Sequence, residues 1–331
     1  MHYSSKWGKR MVGKKPCVSI GFPVFNGENY IRQAIDSILA QTYEDFELVI
    51  SDNASTDKTQ QICREYAKRD CRISYHRSER NFGATWNFNR VFKLTSGVYF
   101  KWAAHDDVLG PAFLQKCVNV LDNDPNVVLC HSKTGRIDEH GTLVGNYDDM
   151  KLDRINSMKP QERFADLMSG RNSCWVIFGV MRADSLRKTP LHGDYIGADR
   201  NLLAEIGLMG KIYEIPEYLF FRRSHVNAYT DRYYSNARIV RNYKAELGWW
   251  TGNQTMPLVN YPHWKMCLEF FKSVNRVPLK WSEKCSCYDK IGKWIIREGW
   301  RLMKWDLINR FKLWRIWLNS KHIERTRDKL I

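Results

Sequence analysis

Val98-Tyr-Phe-Lys-Trp-Ala-Ala-His-Asp-Asp107 is an apolar, aromatic run that ends in two adjacent carboxylates. Its residue types favour a strand and glycines flank it, so we predict a buried strand with Asp106 and Asp107 at its C-terminal end. In an open parallel sheet, ligands bind outside the carboxyl ends of the strands, where two acids can hold a cation against a phosphate. The alternative is that Asp107 caps the helix that follows.

Strands and helices alternate around this stretch. Upstream, we predict strands from Cys17 to Phe25, from Phe46 to Ile50 and from Arg72 to His76, separated by helices with one apolar face. Downstream, a helix precedes another strand, from Val127 to His131. Alternation of this kind predicts an α/β fold with a parallel sheet and right-handed crossovers.

Acid and amide side chains also follow the second predicted strand. Asp52 and Asn53 come directly after the strand that ends at Ile50, so we expect them to share one crevice with Asp106 and Asp107. A cap on the next helix is the alternative role for Asp52. The sequence has no Gly-x-Gly-x-x-Gly after its first strand and no Walker Gly-Lys-Ser/Thr, which disfavours a dinucleotide-binding fold and a P-loop.

Composition limits the classes of protein further. The 331 residues are 44% hydrophobic, enough for one large domain, or one domain with an appendage. The formal net charge of +16 attracts polyanions, but no nucleic-acid-binding module is recognised, so nucleic acid is disfavoured as a partner. Nine cysteines without a Cys-x-x-Cys pair indicate reduced thiols and a cytoplasmic protein. We expect neither a secretory signal in the basic tail of residues 1–15 nor a transmembrane segment.

Four motifs occur in the order found in a known family. They are Val18-Ser-Ile-Gly-Phe-Pro-Val-Phe-Asn26, Ser51-Asp-Asn-Ala-Ser-Thr-Asp57, Arg80-Asn-Phe-Gly83 and Tyr99-Phe-Lys-Trp-Ala-Ala-His-Asp-Asp107. Together they resemble an inverting family 2 glycosyltransferase over residues 17–230. The resemblance implies a GT-A-like fold, with a single, mostly parallel central sheet flanked by helices, and here a C-terminal helical appendage. It also implies a nucleotide-diphosphate sugar donor, a divalent metal (Mn²⁺ or Mg²⁺) and a glycan or lipid-linked acceptor.

The resemblance assigns the donor site residue by residue. The nucleotide-sugar-binding residues that it implies are Pro23, Asp52, Asn53, Arg80, Asn81, Asp107, Arg222 and Arg223. Asp106 is the implied metal ligand, and His225, in the family's closing motif, is the second. The metal motif departs from the usual pattern, because Ala104 stands where members commonly have a further carboxylate.

The second half of the chain carries the predicted chemistry. Gly197-Ala-Asp-Arg-Asn-Leu202 resembles the family's second acidic motif, with Ala198 in place of the usual Glu and Asp199 as the implied general base. Inverting transfer needs a carboxylate to take the proton of the acceptor hydroxyl, and a helix cap is the alternative role. The apolar run from Asn172 to Arg182 predicts a strand. We predict that three residues of this run line the acceptor pocket: Trp175, Phe178 and Gly179. The alternative is that they pack in the core.

We divide the chain into three parts. The first is the tail of residues 1–15, and the second is a glycosyltransferase domain of residues 16–232, with a nucleotide-sugar half (16–132) and an acceptor half (133–232). The third, residues 233–331, is a basic, Trp-rich, amphipathic helical region.

Two apolar stripes run along the predicted helix from Trp300 to Leu318. The first contains Trp300, Met303, Leu307, Phe311, Trp314 and Leu318. The second contains Leu302, Trp305, Leu313 and Ile316. A helix that is apolar on two sides needs two partners, which predicts the catalytic domain on one side and an anionic membrane surface, reached by Trp305 and Ile316, on the other. The alternatives are burial within the protein or in a homodimer.

These patterns favour a metal-dependent, inverting glycosyltransferase that works in the cytoplasm and is peripheral at the membrane's cytoplasmic face. A catalytically degenerate nucleotide-sugar-binding protein on the same fold is one alternative, which the alanines at positions 104 and 198 keep open. A sugar-phosphate nucleotidyltransferase is another. It would need a basic, glycine-rich loop after the first strand, and Phe22-Pro-Val-Phe-Asn-Gly27 contains no Lys or Arg.

Overall fold

The structure, a computed structural model, describes residues 16–147, 152–169, 174–228, 243–252 and 261–308. In chain order, its first elements are β1 (Val18–Val24), α1 (Ile31–Leu39), β2 (Phe46–Asp52), α2 (Thr59–Arg69), β3 (Ile73–Arg77), α3 (Ala84–Lys93), β4 (Tyr99–Trp102), β5 (Val108–Leu109), α4 (Phe113–Asn123) and β6 (Val127–Ile137). The later elements are β7 (Leu143–Asn146), α5 (Pro160–Met168), a 3₁₀ turn (Trp175–Phe178), β8 (Val180–Arg182), α6 (Ala183–Arg187), α7 (Ala198–Met209), β9 (Lys211–Arg223), α8 (Tyr243–Thr251), α9 (Pro262–Arg276), α10 (Trp281–Trp294) and a π turn (Ile295–Gly299). Residues 300–308 continue as helix.

One mixed sheet organises these elements, in the strand order β3-β2-β1-β4-β8-β6-β9-β5, with β7 paired to β6. Strands β3, β2, β1 and β4 are parallel, as predicted from their alternation with helices. Strand β8 is antiparallel to both of its neighbours, whereas β6 and β9 are parallel to each other. The predicted α/β class with a C-terminal helical region is confirmed, and the antiparallel pairs of β8, β5 and β7 lie outside the parallel half.

Apolar clusters cover both faces of the sheet. All seven residues of β1 are buried, which explains its nearly continuous apolar sequence. One cluster contains Ile20 and Ile35 from β1 and α1. The other contains Phe100 from β4 together with Phe270 and Trp294 from the C-terminal helices. The C-terminal helices therefore share a core with the sheet. The predicted domain boundary at residues 232–233 lies outside the described residues, and the division into domains stays a prediction.

The strand predicted from Asn172 to Arg182 is wrong over most of its length. Residues 170–173 lie outside the described part of the chain, Trp175–Phe178 form a 3₁₀ turn, and the strand is only Val180–Arg182. Two backbone positions explain the difference. Cys174 has a left-handed φ of 58°, and Gly179 lies so close to β6 that a Cβ there would be 2.6 Å from the carbonyl oxygen of Cys130. An apolar run alone carries no signal for either position.

Among the described residues, no helix is both long enough and apolar enough to cross a membrane.

Candidate active site

A cavity of about 730 Å³ lies beyond the C-terminal ends of β1 and β4. Its size is typical of small-molecule sites. Asp106 and Asp199, which are 93 positions apart in the sequence, both line it, as do Asp107, Arg222 and Arg223. The cavity thus brings together the residue predicted to hold a metal and the residue predicted to act as general base.

Asp106 and His225 form a close pair. The Oδ2 atom of Asp106 is 3.0 Å from Nε2 of His225, and both side chains are largely buried, with 16% and 6% exposed. Burial by itself would raise the pKa of Asp106, but the neighbouring His105 and the contact with His225 lower it to about 2. Asp106 is therefore a carboxylate at neutral pH. The cavity-lining residues do not include His225, which contacts the cavity through Asp106.

Asp107 differs from Asp106 in protonation. Burial and the adjacent charge of Asp106 raise the pKa of Asp107 to about 8, against the opposing effect of the hydrogen bond that its Oδ1 accepts from the backbone N–H of Arg223 at 3.0 Å. Two adjacent acids in one buried site do not both ionise readily, because each charge disfavours the other. The pair therefore carries close to one negative charge at neutral pH.

Two of the arginines predicted to bind the nucleotide sugar, Arg222 and Arg223, lie in different environments. Arg223 is 1% exposed, and its guanidinium donates to the carbonyl oxygens of Asp106 at 2.8 Å and Asp138 at 2.9 Å, and to the side chain of Gln33. These bonds make Arg223 a residue that positions Asp106. Arg222 lies 5.5 Å from the ring of Trp175.

An amide network shapes the side of the cavity that is predicted to bind the donor, which Pro23, Asn53 and Asn81 line. Asn53 donates from Nδ2 to Oδ1 of Asn81 at 2.8 Å and to the carbonyl oxygen of Gly83 at 3.0 Å. Its Oδ1 accepts from the backbone N–H of Phe82 at 3.0 Å. Asn53 therefore fixes the loop of residues 81–83 against the end of β2.

The described residues that line the cavity do not include Asp52, Arg80 or Gly179, which the sequence had placed in the site. Asp52 is fully buried, and its carboxylate accepts hydrogen bonds from the backbone N–H of Ser55 at 2.8 Å and the hydroxyl of Tyr75 at 2.6 Å. This arrangement is a local turn that ends before α2, whose N-cap residue is Lys58, so Asp52 does not cap that helix. Arg80 lies over the ring of Phe82 at 4.7 Å, and Gly179 packs against β6.

Asp199 lies in the first turn of α7, where its Oδ1 accepts the backbone N–H of Arg200 at 2.8 Å. Gly197 precedes the helix with a left-handed φ of 85°, a conformation that favours glycine. Burial raises the pKa of Asp199 above its usual value, and Arg200 opposes this shift. A raised pKa suits a carboxylate that must accept a proton near neutral pH.

Comparison with known proteins identifies the family. The model of glycosyl transferase family 2 matches residues 19–188, which is about half of the chain. The chain belongs to glycosyl transferase family 2. The match includes Asp106 and Asp107 but ends before Asp199 and His225.

Relatives of this family 2 chain match it over limited lengths. A protein of Rickettsia typhi named as an uncharacterized glycosyltransferase is 38% identical over 153 residues, which are 45% of this chain and 43% of that protein. The chondroitin synthase of Escherichia coli is 31% identical over 131 residues, 40% of this chain and 19% of the synthase. The chain therefore spans less than half the length of either relative.

Solved structures share the fold of this family 2 chain. S. aureus TarS, residues 1–349 in complex with UDP, matches with a TM-score of 0.57 and 14% identity, over 85% of this chain and 72% of that one. The same protein in complex with UDP-GlcNAc matches with a TM-score of 0.55. These likenesses show the fold alone, and they confirm the predicted GT-A-like class.

The metal site expected in a family 2 enzyme is sparse in protein ligands. No group of three or more His, Cys, Asp or Glu side chains that could hold a metal occurs within the described ranges. Asp106 and His225 offer a carboxylate and an imidazole side by side. The carboxylate of this donor set fits Mn²⁺ or Mg²⁺, since Mn²⁺ prefers carboxylate ligands and Mg²⁺ commonly takes one or two carboxylates plus substrate phosphates.

The side of the cavity predicted to bind the acceptor has two walls. Trp175 and Phe178, predicted from sequence, line one of them. The other comes from the C-terminal helices, beyond the matched part of the family 2 chain, and sequence reasoning missed it. Its residues are Gly248, Trp249, Trp250, His263, Met266, Trp294, Glu298 and Leu302. We call this set the C-terminal wall. The Trp-rich composition was the one available signal, and we had assigned it to a membrane surface.

The predicted membrane-facing position of Trp305 is wrong. Trp305 packs against the buried pair of Ile196 and Trp250, and Leu302 from the same stripe lines the cavity. In the first stripe Met303 is buried, whereas Trp300 and Leu307 are 54% and 46% exposed. Residues 309–318, and with them Ile316, lie outside the described residues.

Proposed function

We propose that this chain is a metal-dependent, inverting glycosyltransferase that moves a sugar from a nucleotide-diphosphate sugar to a glycan or lipid-linked acceptor. The observation that carries the proposal is the single cavity lined by both Asp106, paired with His225, and Asp199. Asp106 is ionised, which suits binding of a metal and the donor. Asp199 has a raised pKa, which suits removal of a proton from the acceptor.

The donor half of the proposal rests on the amide-lined side of the cavity. Asn53 holds Asn81 in place, and the side-chain amide of Asn81, which lines the cavity with Pro23, suits the edge of a nucleobase. Arg222 lines the cavity with its positive charge, which suits a diphosphate. S. aureus TarS, which has the same fold, was solved with UDP and with UDP-GlcNAc, and this supports a nucleotide sugar as donor.

The chemical half assigns a role to each acid. Asp106 and His225 would hold Mn²⁺ or Mg²⁺, which when bound supplies positive charge for the departing diphosphate. Asp199, as a carboxylate, takes the proton of the acceptor hydroxyl while that oxygen attacks the anomeric carbon from the face opposite the diphosphate. Arg223 keeps Asp106 in place by donating a hydrogen bond to the backbone carbonyl oxygen of Asp106.

The test is nucleotide release from a panel of sugar nucleotides in the presence of Mn²⁺. We expect Asp199→Asn to slow release about 10²- to 10⁴-fold, since it removes the base, and Asp106→Asn to abolish stimulation by Mn²⁺. The matched control is Asp184→Asn, which alters an 85% exposed acid outside the cavity. A wild type that turns over none of the donors contradicts the proposal.

The same panel separates the two alternatives. Donor binding by calorimetry without any turnover would favour the degenerate binding protein, which the alanines at positions 104 and 198 keep open. Formation of pyrophosphate from a sugar phosphate and a nucleoside triphosphate would favour the nucleotidyltransferase.

We also propose that the protein is peripheral at an anionic, cytoplasmic membrane surface. The outward face of the helix from residue 293 to residue 308 consists of Lys293, Ile296, Arg297, Trp300, Arg301, Lys304, Leu307 and Ile308. Alternating basic and apolar side chains of this kind suit the headgroup region of a bilayer, and the net charge of +16 adds attraction.

Cosedimentation with phosphatidylserine-containing vesicles tests this surface. We expect the double change Trp300→Glu and Leu307→Glu to release the protein from the vesicles, because it replaces two apolar side chains of this face with negative charges. Val98→Glu, at an apolar residue of the sheet half that is 59% exposed, is the control. Unchanged cosedimentation would contradict the assignment, and a dimer broken by the same double change would assign the face to a homodimer instead.

A further inference from the structure

The C-terminal wall contains a buried histidine that is held by an acid. Nδ1 of His263 is 2.6 Å from Oδ1 of Asp306, and the backbone N–H of His263 donates to Oδ2 of the same carboxylate at 2.9 Å. Both residues are only 4% exposed. Because the carboxylate accepts from Nδ1, it selects the tautomer with the hydrogen on Nδ1, and Nε2 is left with its lone pair.

Nε2 of His263 is the ring atom available to a ligand. His263 lines the cavity, and Nε2 has no hydrogen-bond partner among the described residues. Because His263 lines the cavity and its Nδ1 is taken by Asp306, a hydrogen bond donated by a ligand to Nε2 would favour binding at this position. His263 and Asp306 are 43 positions apart, and the pair exists only because α9 packs against helical residues 300–308.

The pair lies next to the start of α7, which carries Asp199. Nδ2 of Asn201 donates to the carbonyl oxygen of Met266 at 3.0 Å, and a Cβ on Gly197 would lie 3.0 Å from Sδ of Met266. His263 precedes Met266 by three residues, so the two share one face of α9. This face of α9 therefore meets the helix end that holds the proposed general base.

Aromatic rings surround this polar point. Trp249 lies at the edge of the cavity with 38% exposed, next to the buried Trp250, with their ring centroids 5.0 Å apart. The helix that follows contains the π turn Ile295–Gly299, which brings Glu298 to the cavity, and such turns are frequent at functional sites. Flat apolar rings beside a few polar groups suit a sugar ring, whose faces carry C–H groups and whose edges carry hydroxyls.

We propose that the C-terminal wall is the acceptor subsite and that it takes a glycan end: a sugar ring stacks on Trp249, and one of its hydroxyls donates a hydrogen bond to Nε2 of His263. This inference rests on the proposed function and adds the acceptor class and the residues that bind it. His263 is a positioning residue for the acceptor, and Asp199 keeps the role of base.

Asp306→Asn is the sharpest test of this proposal. The new amide can still accept the backbone N–H of His263 and can donate to Nδ1, so it preserves both bonds while moving the ring hydrogen to Nε2. Nε2 then cannot accept from a hydroxyl. With p-nitrophenyl glycosides of glucose, galactose, mannose and N-acetylglucosamine as acceptors, we expect KM for the acceptor to rise about 5- to 10-fold. KM for the donor, and hydrolysis of the donor without acceptor, should not change.

Trp249→Ala is the second variant, because an exposed rim residue tolerates truncation. It should also raise KM for the acceptor alone. The matched controls are His140→Gln and Trp281→Ala, whose side chains are exposed and do not line the cavity. Three outcomes would each overturn the subsite. The first is an equal loss of transfer and donor hydrolysis in the variants, and the second is an unchanged acceptor KM in both variants. The third is a wild type that hydrolyses donor but neither binds nor glycosylates any probe. If Asp306→Asn does not fold, Trp249→Ala alone decides.

A wild type that neither binds nor hydrolyses any sugar nucleotide would instead contradict the proposed function. Calorimetric titration of the same glycosides into the wild type and Trp249→Ala then reads the subsite without a donor. Binding that is lost in Trp249→Ala supports the sugar subsite, and no binding to the wild type overturns it.

Discussion

The sheet half and the C-terminal helices form facing parts of one cavity, but they hold their buried charges differently. In the helices, two buried carboxylates have close partners: Glu205 pairs with Arg276, and Asp306 lies 2.6 Å from Nδ1 of His263. In the sheet, the fully buried Lys101 has no carboxylate within 4 Å in the described part of the chain. The Glu205–Arg276 ion pair joins α7 to α9 and so holds the helices onto the domain, whereas Lys101 balances the acidic motif at longer range.

Lys101 depends on groups that are not acids. Its Nζ donates to the carbonyl oxygens of Phe178 and Trp102, and it lies 4.8 Å from the ring centroid of Phe113. Burial lowers the pKa of Lys101 to about 7, and the nearby Asp107 opposes the shift. The lysine in turn favours ionisation of Asp107. The sheet therefore keeps a cation whose charge is only marginally retained at neutral pH.

The largest effect should come from removing one of the two regions. A chain of residues 16–232 lacks Phe270 and Trp294, which pack in the same cluster as Phe100. Since truncating a single buried Phe or Trp costs about 3–5 kcal/mol, we expect the shortened chain to lose its whole stability of about 5–15 kcal/mol. Urea denaturation followed by circular dichroism checks this. A soluble fragment with one cooperative transition would show that the sheet half folds alone.

A large pH effect should come from Lys101→Met. The pKa of Lys101 is about 7 when folded and about 10.4 when unfolded, so between these values the unfolded chain binds more protons and wild-type stability rises with pH. Methionine removes this term. We expect the variant to be more stable than wild type at pH 6.5 and to lose that advantage, which is on the order of a few kcal/mol, towards pH 10. The measurement is urea denaturation of both proteins across this range, and parallel pH curves would contradict the burial cost.

A smaller loss is expected where the helices are held by charge. Arg276→Met leaves the 1% exposed Glu205 without its cation, with Ser273 Oγ as a remaining donor at 2.7 Å. Breaking a buried pair costs about 3–5 kcal/mol, but Arg276 is 31% exposed, so we expect about 2 kcal/mol. The control is Glu205→Gln combined with Arg276→Met, which removes the charge and should recover part of the loss. Equal stability of all three proteins would contradict the ion-pair argument.

The smallest effect concerns the contact between the loop of residues 81–83 and Gly252, the residue that follows α8. Gly252 has a φ of 69°, and a Cβ there would lie 2.4 Å from the carbonyl carbon of Phe82. We expect Gly252→Ala to cost about 1–3 kcal/mol and to raise KM for the donor. Gly292→Ala is the control, since no atom lies within 4 Å of its Cβ position inside α10 and alanine favours helix there. Thermal unfolding and donor titration of both variants check this, and an unchanged Gly252→Ala would contradict the contact.

Features that depend on residues close together in the sequence could be predicted, whereas features that depend on contacts between distant residues could not. The parallel strands and the acids at Asp106 and Asp107 were predictable because local apolar patterns and punctuating glycines define them. The 3₁₀ turn Trp175–Phe178 was not, because it depends on close approach to β6. His263 and Asp306 carry no local signal either, since an isolated His and an isolated Asp 43 residues apart acquire a role only when two helices pack.

The meeting of Gly83 and Gly252 has a consequence for protein engineering. A Cβ on Gly83 would lie 2.2 Å from the backbone nitrogen of Gly252, and both residues have positive φ, so neither position accepts an ordinary side chain. Anyone who grafts the C-terminal helices onto another family member, in order to transplant the proposed acceptor subsite, must therefore bring a glycine to each side of this junction. A chimera that lacks either glycine would carry the new helices in a displaced position.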